Sequence, residues 1–262
     1  MPNTSPCFIV SDLHLGITDP EVEPRFLRFL THVREHGGSL VINGDLFDFW
    51  FEWHTVMPRT GFRVLAALAA LRAAGTPVVW IAGNHDCWGG ELLRQDVGVD
   101  FREGPLVARL AGWQARVEHG DGLREVEDRK YRRLRTVLRH PLAIRLFRIL
   151  HPDWGTRLAT GSSGASRKHG RHDEGGGLRL VALQQLAADP SLELVVYGHS
   201  HETALERAAG GGVYANAGSW LDAPTYLYLT PERVELRRFT DSAEIECLHS
   251  LDRRAEKALT QP

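Results

Sequence analysis

Val78-Val79-Trp80-Ile81-Ala82-Gly83-Asn84-His85-Asp86 is the stretch on which the fold turns. Five apolar residues run unbroken into a glycine and then three polar side chains. A short continuous apolar run ended by a turn residue fits a strand buried on both faces, as in a parallel sheet. In open α/β sheets, ligands bind at the carboxyl edge of such strands. The pattern recurs four times. Phe8-Ile9-Val10 leads into Ser11-Asp12-Leu13-His14, and Leu40-Val41-Ile42 into Asn43-Gly44-Asp45. Ala115-Arg116-Val117-Glu118 leads into His119-Gly120-Asp121, and Leu194-Val195-Val196-Tyr197 into Gly198-His199-Ser200-His201. Five strand ends thus carry Asp, His, Asp, Asn, His, His and His toward one crevice.

Between these points the chain alternates strand and helix. Val22, Phe26, Phe29, Leu30 and Val33 recur at helical spacing before Gly37-Gly38, and residues 60–74 read as a helix closed by Gly75 and Pro77. A short helix is expected near 90–96. Strands are expected near 99–102, 105–110 and 112–118, a helix over 178–188, and strands at 192–197, 203–208, 213–216, 225–230 and 233–239. A second sheet facing the first gives a sandwich with helices outside. No internal repeat is visible, and the last dozen residues are expected to fray.

The 262 residues suffice for one α/β domain with an insertion, or for two small domains. No apolar run is long enough to span a bilayer and no basic-then-apolar leader opens the chain, so a cytoplasmic protein is expected. Cys7, Cys87 and Cys247 are too few and too scattered for a disulfide framework, and Cys87 lacks a CxxC partner, which makes it structural. The net charge of −2 hides an asymmetry: residues 124–172 hold 13 Lys/Arg against 4 Asp/Glu, a local +9. The strand–helix alternation also stops there, which marks an insertion.

Carboxylate, amide oxygen and imidazole without thiolate suit hard and borderline divalent ions. Asp12 and His14, two apart at a strand end, point to one side and can bind one ion together. Asp45 follows a glycine that lets the backbone turn sharply and set its carboxylate between two ions. Asn84 adds a neutral oxygen, and His199 and His201 can each reach a different ion. Two ions roughly 4 Å apart would clamp a phosphoryl group and acidify a bridging water. A lone Asp-x-His is usually a solvated turn and a lone Asn-Gly-Asp usually a hairpin. Five such signals, in order and each after a strand, outweigh those readings. His140, His151, His169 and His172 lack that context and are read as surface or loop histidines.

Asp12-Leu13-His14, Gly44-Asp45, Gly83-Asn84-His85-Asp86, His119-Gly120-Asp121 and Gly198-His199-Ser200-His201 together resemble the signature of the calcineurin-like metallophosphoesterases. The resemblance implies an α/β fold, a four-layer αββα sandwich, with Asp12, His14, Asp45 and His201 at one metal. Asp45, Asn84, His119 and His199 would serve the other, with Asp45 bridging. It also implies that His85 is a catalytic group, not a ligand, and that Asp86 orients it.

A closer resemblance is to bacterial UDP-2,3-diacylglucosamine diphosphatases, through the aromatic run Asp48-Phe49-Trp50-Phe51-Glu52-Trp53 after the bridging aspartate. His151-Pro152-Asp153-Trp154-Gly155, Ser162-Ser163 and Ser166-Arg167-Lys168 resemble that family's insertion. Enterobacterial members carry arginine where this chain has His85, so the chain resembles the histidine-bearing branch. The implied reaction is metal-dependent hydrolysis of the pyrophosphate of a lipid A precursor to UMP and 2,3-diacylglucosamine 1-phosphate. The implied substrate contacts are Asn84, His85, Asp121, Tyr131, Ser163, Ser166 and Lys168. The expected cofactor is a pair of divalent ions, Mn²⁺ first, with Fe²⁺ or Zn²⁺ as alternatives.

The domain reading is a phosphoesterase core at 1–122 and 178–245, a basic, mostly helical cap at 123–177, and a C-terminal tail at 246–262. Arg and Lys of the cap would meet the diphosphate, while Leu142, Ile144, Leu146, Phe147, Ile149 and Leu150 would line a slot for acyl chains. A basic amphipathic cap also suits the inner membrane surface, giving peripheral contact on the cytoplasmic face. Nucleic acid and an obligate protein partner are not expected. The competing readings are a phosphodiesterase for cyclic nucleotides or nucleic acid on the same site, and a non-catalytic interaction module on this fold.

Overall fold

Alternate residues of the central strands enter two different cores, and this builds the layers. In the computed structural model, which describes residues 4–159, 176–240, 242 and 244–253, a seven-stranded sheet faces a five-stranded one. The larger has the order β12-β11-β10-β1-β2-β3-β4. It comprises β1 (Cys7–Val10), β2 (Ser39–Asn43), β3 (Val78–Ile81), β4 (Asp100–Arg102), β10 (Thr225–Leu229), β11 (Arg233–Phe239) and β12 (Ile245–Asp252). The smaller, in the order β5-β6-β7-β9-β8, comprises β5 (Leu106–Leu110), β6 (Trp113–Val117), β7 (Leu194–Tyr197), β8 (Thr203–Arg207) and β9 (Val213–Ala217). Cys7, Ile9, Val41 and Ile81 point inward and meet Ala115, Val117, Leu194, Val196 and Ala215 of the other sheet. Phe8, Val10, Leu40, Ile42 and Trp80 point outward under α1 (Val22–His36) and α2 (Phe62–Ala73). Val195, Tyr197 and Tyr214 pack under α6 (Gly176–Ala188). The result is the expected four-layer αββα sandwich.

β1 to β4 run parallel, as do β6, β7 and β9, so the five strand ends open on one edge of the sandwich. The segment expected as a short helix near 90–96 is a wide π-helical turn, Leu92–Asp96. The carboxylate of buried Glu52 accepts hydrogen bonds from the backbone N–H of Gly90, Leu92 and Leu93 at its start (2.7, 3.1 and 3.3 Å).

One boundary is corrected. Residues 246–252, expected in a C-terminal tail, belong to β12 and pair antiparallel with β11. The register shifts by one at Leu248, so Ile245 packs on the helix side of the sheet while Leu251 packs between the sheets. A bulge of this kind breaks the two-residue period by which a strand is recognised.

Among the described residues of the insertion lie three helices, α3 (Arg129–Leu138), α4 (Pro141–Ile149) and α5 (152–159). Its seat is the aromatic run after Asp45. Phe147 of α4 lies among Phe51 (4.8 Å between ring centroids), Phe49 and Trp53 (both 6.2 Å), and stacks on Trp88 (6.4 Å, 7° between planes). Trp88 Nε1 donates to Leu138 O (3.0 Å), Trp53 Nε1 to Leu150 O (3.2 Å), and Arg148 Nε to Glu52 O (3.3 Å). The six apolar residues expected to line one slot therefore divide. Phe147 anchors the cap, whereas Leu142, Leu146 and Ile149 are 58%, 58% and 77% exposed. His140 caps α4 by accepting a hydrogen bond from Leu142 N (3.2 Å). No described helix is long and apolar enough to cross a membrane.

Candidate metal centre

The loops that leave the five strand ends are tied to one another by their backbones. Asp12 N donates to Gly44 O (3.1 Å), His14 N to Asp45 O (2.9 Å) and Gly198 N to His119 O (2.9 Å). Glycine is required at position 44, where φ is +82° and a Cβ would overlap His119 Nδ1. Five predicted ligands stand in the left-handed region: Asp12 (φ 53°), His14 (47°), Asp45 (53°), His199 (63°) and His201 (65°). Side chains other than glycine adopt such backbone at a cost of about 1–3 kcal/mol each, and it clusters at functional sites.

These turns bring the predicted ligands into two sets of convergent donors. In one set, ligand atoms of Asp12, His14 and His201 lie within 4.8 Å of one another; in the other, those of Asp45, His119 and His199 do. His14 Nε2 and His201 Nε2 face each other at 3.1 Å, and His201 Nε2 is 3.4 Å from Asp12 Oδ1. Across the centre, Asp45 Oδ2 lies 3.3 Å from His119 Nε2 and 3.8 Å from His14 Nε2, so one carboxylate oxygen stands between the sets. Asn84 Oδ1 is 3.2 Å from His119 Nε2. The tautomer of His119 is fixed: Nδ1–H donates to Asn43 O (2.8 Å), leaving Nε2 as the basic nitrogen, the usual arrangement of a ligating histidine. Imidazole nitrogens and carboxylate oxygens crowded at such distances, with Asp12, His14, Asp45 and His119 buried and His199 and His201 partly so, fit a pair of divalent cations. All seven predicted ligands are thus brought together.

The electrostatics agree. Burial opposes ionisation of Asp12, yet the imidazoles of His119 and His201 hold its carboxyl down at about 2. Asp45, equally buried, is drawn well below the usual range by His119, His85 and His14. Burial would lower His119, but the Asp45 and Asp12 carboxylates outweigh it and hold the imidazole well above its ordinary value; His201 is likewise raised by Asp12. Both histidines thus hold their protons more tightly than a free imidazole, and a metal must displace those protons to bind. Metal affinity is therefore expected to strengthen as pH rises from about 6 to about 8, with release of protons on binding. Calorimetric titration with Mn²⁺ in buffers of different ionisation enthalpy measures this directly, and an affinity independent of pH over that range would contradict it.

His85 stands beside the sets. Its Nδ1–H donates to Asp48 O (2.8 Å) and lies 3.5 Å from Asp48 Oδ1, while Nε2 faces Asp45 Oδ2 at 4.0 Å. The carboxylate of Asp86, expected to orient His85, is engaged elsewhere. The Asp86 carboxylate accepts from Gly83 N (2.7 Å), Leu46 N (2.8 Å) and Trp80 Nε1 (3.1 Å), which locks the Gly83–Asp86 turn onto the Asp45 loop. Burial, reinforced by Asp45, raises its pKa to about 6. The residue missed in the sequence is Asp48. Its Oδ1 also lies 3.6 Å from His14 Nδ1, so one buried carboxylate braces a ligand and His85 together. The available signal was its position three residues after the bridging aspartate.

The expected substrate contacts fare unevenly. Asn84 and His85 line the centre. Asp121 and Tyr131 are engaged with each other: Tyr131 Oη–H donates to Asp121 Oδ2 (2.7 Å), with Arg135 (3.4 Å) and Arg139 (3.7 Å) on the same oxygen. Two residues beyond His119, Asp121 thus ties the cap to a ligand loop. Ser163, Ser166 and Lys168 lie outside the described residues. Cys87 is buried, and its thiol is pushed up to about 12 chiefly by that burial, which fits the structural role expected of it.

A family model described as calcineurin-like phosphoesterase matches residues 6–203. The chain is 31% identical over 218 residues to a UDP-2,3-diacylglucosamine hydrolase of Porphyromonas gingivalis, covering 75% of this chain and 83% of that protein. It is 29% identical over 247 residues to a UDP-2,3-diacylglucosamine hydrolase of Nitrosococcus oceani, covering 91% and 96%. Among solved structures, a dimetal phosphatase from Danio rerio aligns with a TM-score of 0.49 at 12% identity, over 96% of this chain and 99% of that one.

Proposed function

Because the chain belongs to the calcineurin-like phosphoesterases, and within them to the family of the UDP-2,3-diacylglucosamine hydrolases, we propose that it hydrolyses the pyrophosphate of UDP-2,3-diacylglucosamine to UMP and 2,3-diacylglucosamine 1-phosphate. The observation that carries this reading is the pairing of a two-set donor centre sharing Asp45 with a cap seated on the same edge. The donors suit Mn²⁺ first, or Fe²⁺ or Zn²⁺. Asp12, His14, His201 and Asp45 would hold one ion and Asp45, His119, His199 and Asn84 the other. When bound, such a pair neutralises phosphoryl charge and activates water.

The chain's own groups do the rest. His85, its Nδ1 proton pinned on Asp48, offers Nε2 to the phosphoryl or departing oxygen. A phosphate monoester is a weakly basic leaving group, so His85 serves mainly to stabilise charge. The water consumed adds one oxygen across the P–O–P anhydride and leaves two phosphomonoesters. Between cap and core lies a cavity of about 620 Å³ whose lining mixes apolar Trp53, Trp88 and Ile144 with Arg139 and Arg148 and with the carboxylates of Glu91, Asp96 and Glu103. The arginines of α3 and the exposed Leu142, Leu146, Ile149 and Trp154 favour peripheral contact with the cytoplasmic face of an anionic membrane, where such a substrate resides. Phe49, Phe51, Trp53 and Trp88 are occupied with Phe147, which leaves them unsuited as a base-stacking platform for nucleic acid.

Incubation of the Mn²⁺-loaded protein with UDP-2,3-diacylglucosamine, followed by mass spectrometry, tests the reading. Release of UMP is expected, with His85→Ala slowed roughly 10²–10⁴-fold in kcat and unchanged in metal content. An enzyme that cleaves bis(p-nitrophenyl) phosphate but leaves the nucleotide lipid intact would move the substrate to another phosphodiester. Metal lost together with rate in His85→Ala would make His85 a ligand.

A further inference from the structure

The turn that follows β9 lies beyond the stretch matched by the family model, yet it holds the metal centre from behind. Asn216 is fully buried at the end of β9, opposite Tyr197 of β7. Its Nδ2 donates to Gly198 O (3.1 Å) and to Ser200 Oγ (3.0 Å), and its Oδ1 accepts from Gly218 N (2.9 Å). Both amide donors and the carbonyl are therefore used. Gly198 and Ser200 alternate with His199 and His201, the two ligand candidates with left-handed backbone in that loop. Ser200 N also donates to Gly198 O (2.7 Å), and His199 N to Asp12 Oδ2 (3.0 Å). Gly198 itself has no room for a side chain, since a Cβ would overlap Ser11 Oγ. Three and four residues past Asn216, Ser219 Oγ and Trp220 N both donate to Asp12 O (2.8 and 3.2 Å).

His199 belongs to one donor set and His201 to the other. A loop strained at both histidines must be held from outside, and among the described residues Asn216 gives the only side-chain amide bonded to it. We propose that Asn216 is a positioning residue for both metals: it fixes the Gly198–His201 turn so that each imidazole meets its own ion. Replacing it by aspartate keeps size and shape and preserves the acceptor for Gly218 N. The change removes both donors and sets a carboxylate oxygen against Gly198 O. The ligands remain, but their left-handed geometry is no longer enforced.

The test is calorimetric titration of chelator-stripped Asn216→Asp with Mn²⁺, beside melting curves of stripped and loaded protein. Loss of an outer-shell partner of metal ligands typically weakens affinity about 10–100-fold. That weakening is expected for both ions, together with a smaller metal-induced rise in Tm and a kcat largely restored at saturating Mn²⁺. A residue of merely structural importance would lower the stripped and loaded melting temperatures alike and leave Mn²⁺ affinity unchanged, and that result would overturn the proposal. Should the variant fail to fold, Ser200→Ala deletes one of the two contacts without burying a charge. It is expected to weaken Mn²⁺ about threefold to tenfold, and unchanged affinity there would overturn the proposal equally. The calorimetric and melting readouts involve no substrate, so they stand apart from the reaction proposed above.

Discussion

Asp45→Asn is expected to abolish nearly all turnover, by at least about 10³-fold, equivalent to about 4 kcal/mol of transition-state stabilisation, and to lose at least one ion. The geometry sets the size of the effect. One oxygen of this buried carboxylate stands 3.3 Å from His119 Nε2 and 3.8 Å from His14 Nε2, between the two donor sets. An amide keeps the shape but not the charge that two cations require. The fold is expected to survive, because the other oxygen has a backbone partner, His85 N at 2.9 Å, that an amide oxygen can still accept from. Metal analysis and turnover on a chromogenic phosphodiester read the outcome together. Wild-type rates in this variant, or in chelator-stripped protein, would remove the two-metal mechanism.

The second large effect lies in the cap and separates two neighbouring residues. Phe147→Ser is expected to unseat α4 from the Phe49–Phe51–Trp53–Trp88 box, because the half-buried phenyl loses its contacts with four aromatic rings at a cost of about 1–3 kcal/mol. The melting temperature should fall and turnover of the acylated substrate collapse. Cleavage of a small phosphodiester should persist, since the ligands stand on strand ends outside the insertion. Leu146, one position away, is 58% exposed. Leu146→Ser should leave stability within about 0.5 kcal/mol and lower turnover of the lipid roughly 15–60-fold, the value of two or three methylenes at about 0.8 kcal/mol each. Equal loss on both substrates would make the cap purely structural. Full retention by Leu146→Ser on the lipid would mean that the outer face of the cap does not meet acyl chains.

What was legible in the chain was the chemistry of the strand ends. Apolar runs ending in Asp-x-His, Gly-Asp, Gly-Asn-His, His-Gly and Gly-His-x-His identify both the parallel strands and the groups they deliver, because a strand buried on both faces fixes where its last residue points. All seven predicted ligands converge in the structure. Side chains in the loops beyond were less legible, since nothing periodic governs them. Asp86 follows His85 directly, yet its carboxylate turns back to Gly83 N, Leu46 N and Trp80 Nε1, while Asp48, far away in sequence, reaches His85. β12 was hidden by its bulge at Leu248. Adjacent residues on a helix of 3.6 residues per turn point about 100° apart, which turns Phe147 onto the aromatic box and leaves Leu146 exposed. Asn216 carried no signal at all, because its role comes from the neighbouring strand β7 and not from its own segment.

The most direct measurement is anomalous diffraction from crystals of the wild-type protein loaded with Mn²⁺. Two anomalous peaks are predicted roughly 4 Å apart, one enclosed by Asp12, His14 and His201, the other by Asn84, His119 and His199, with the Asp45 carboxylate between them. A single peak, or peaks away from Asp45, would contradict the shared two-metal centre on which the proposed hydrolysis depends.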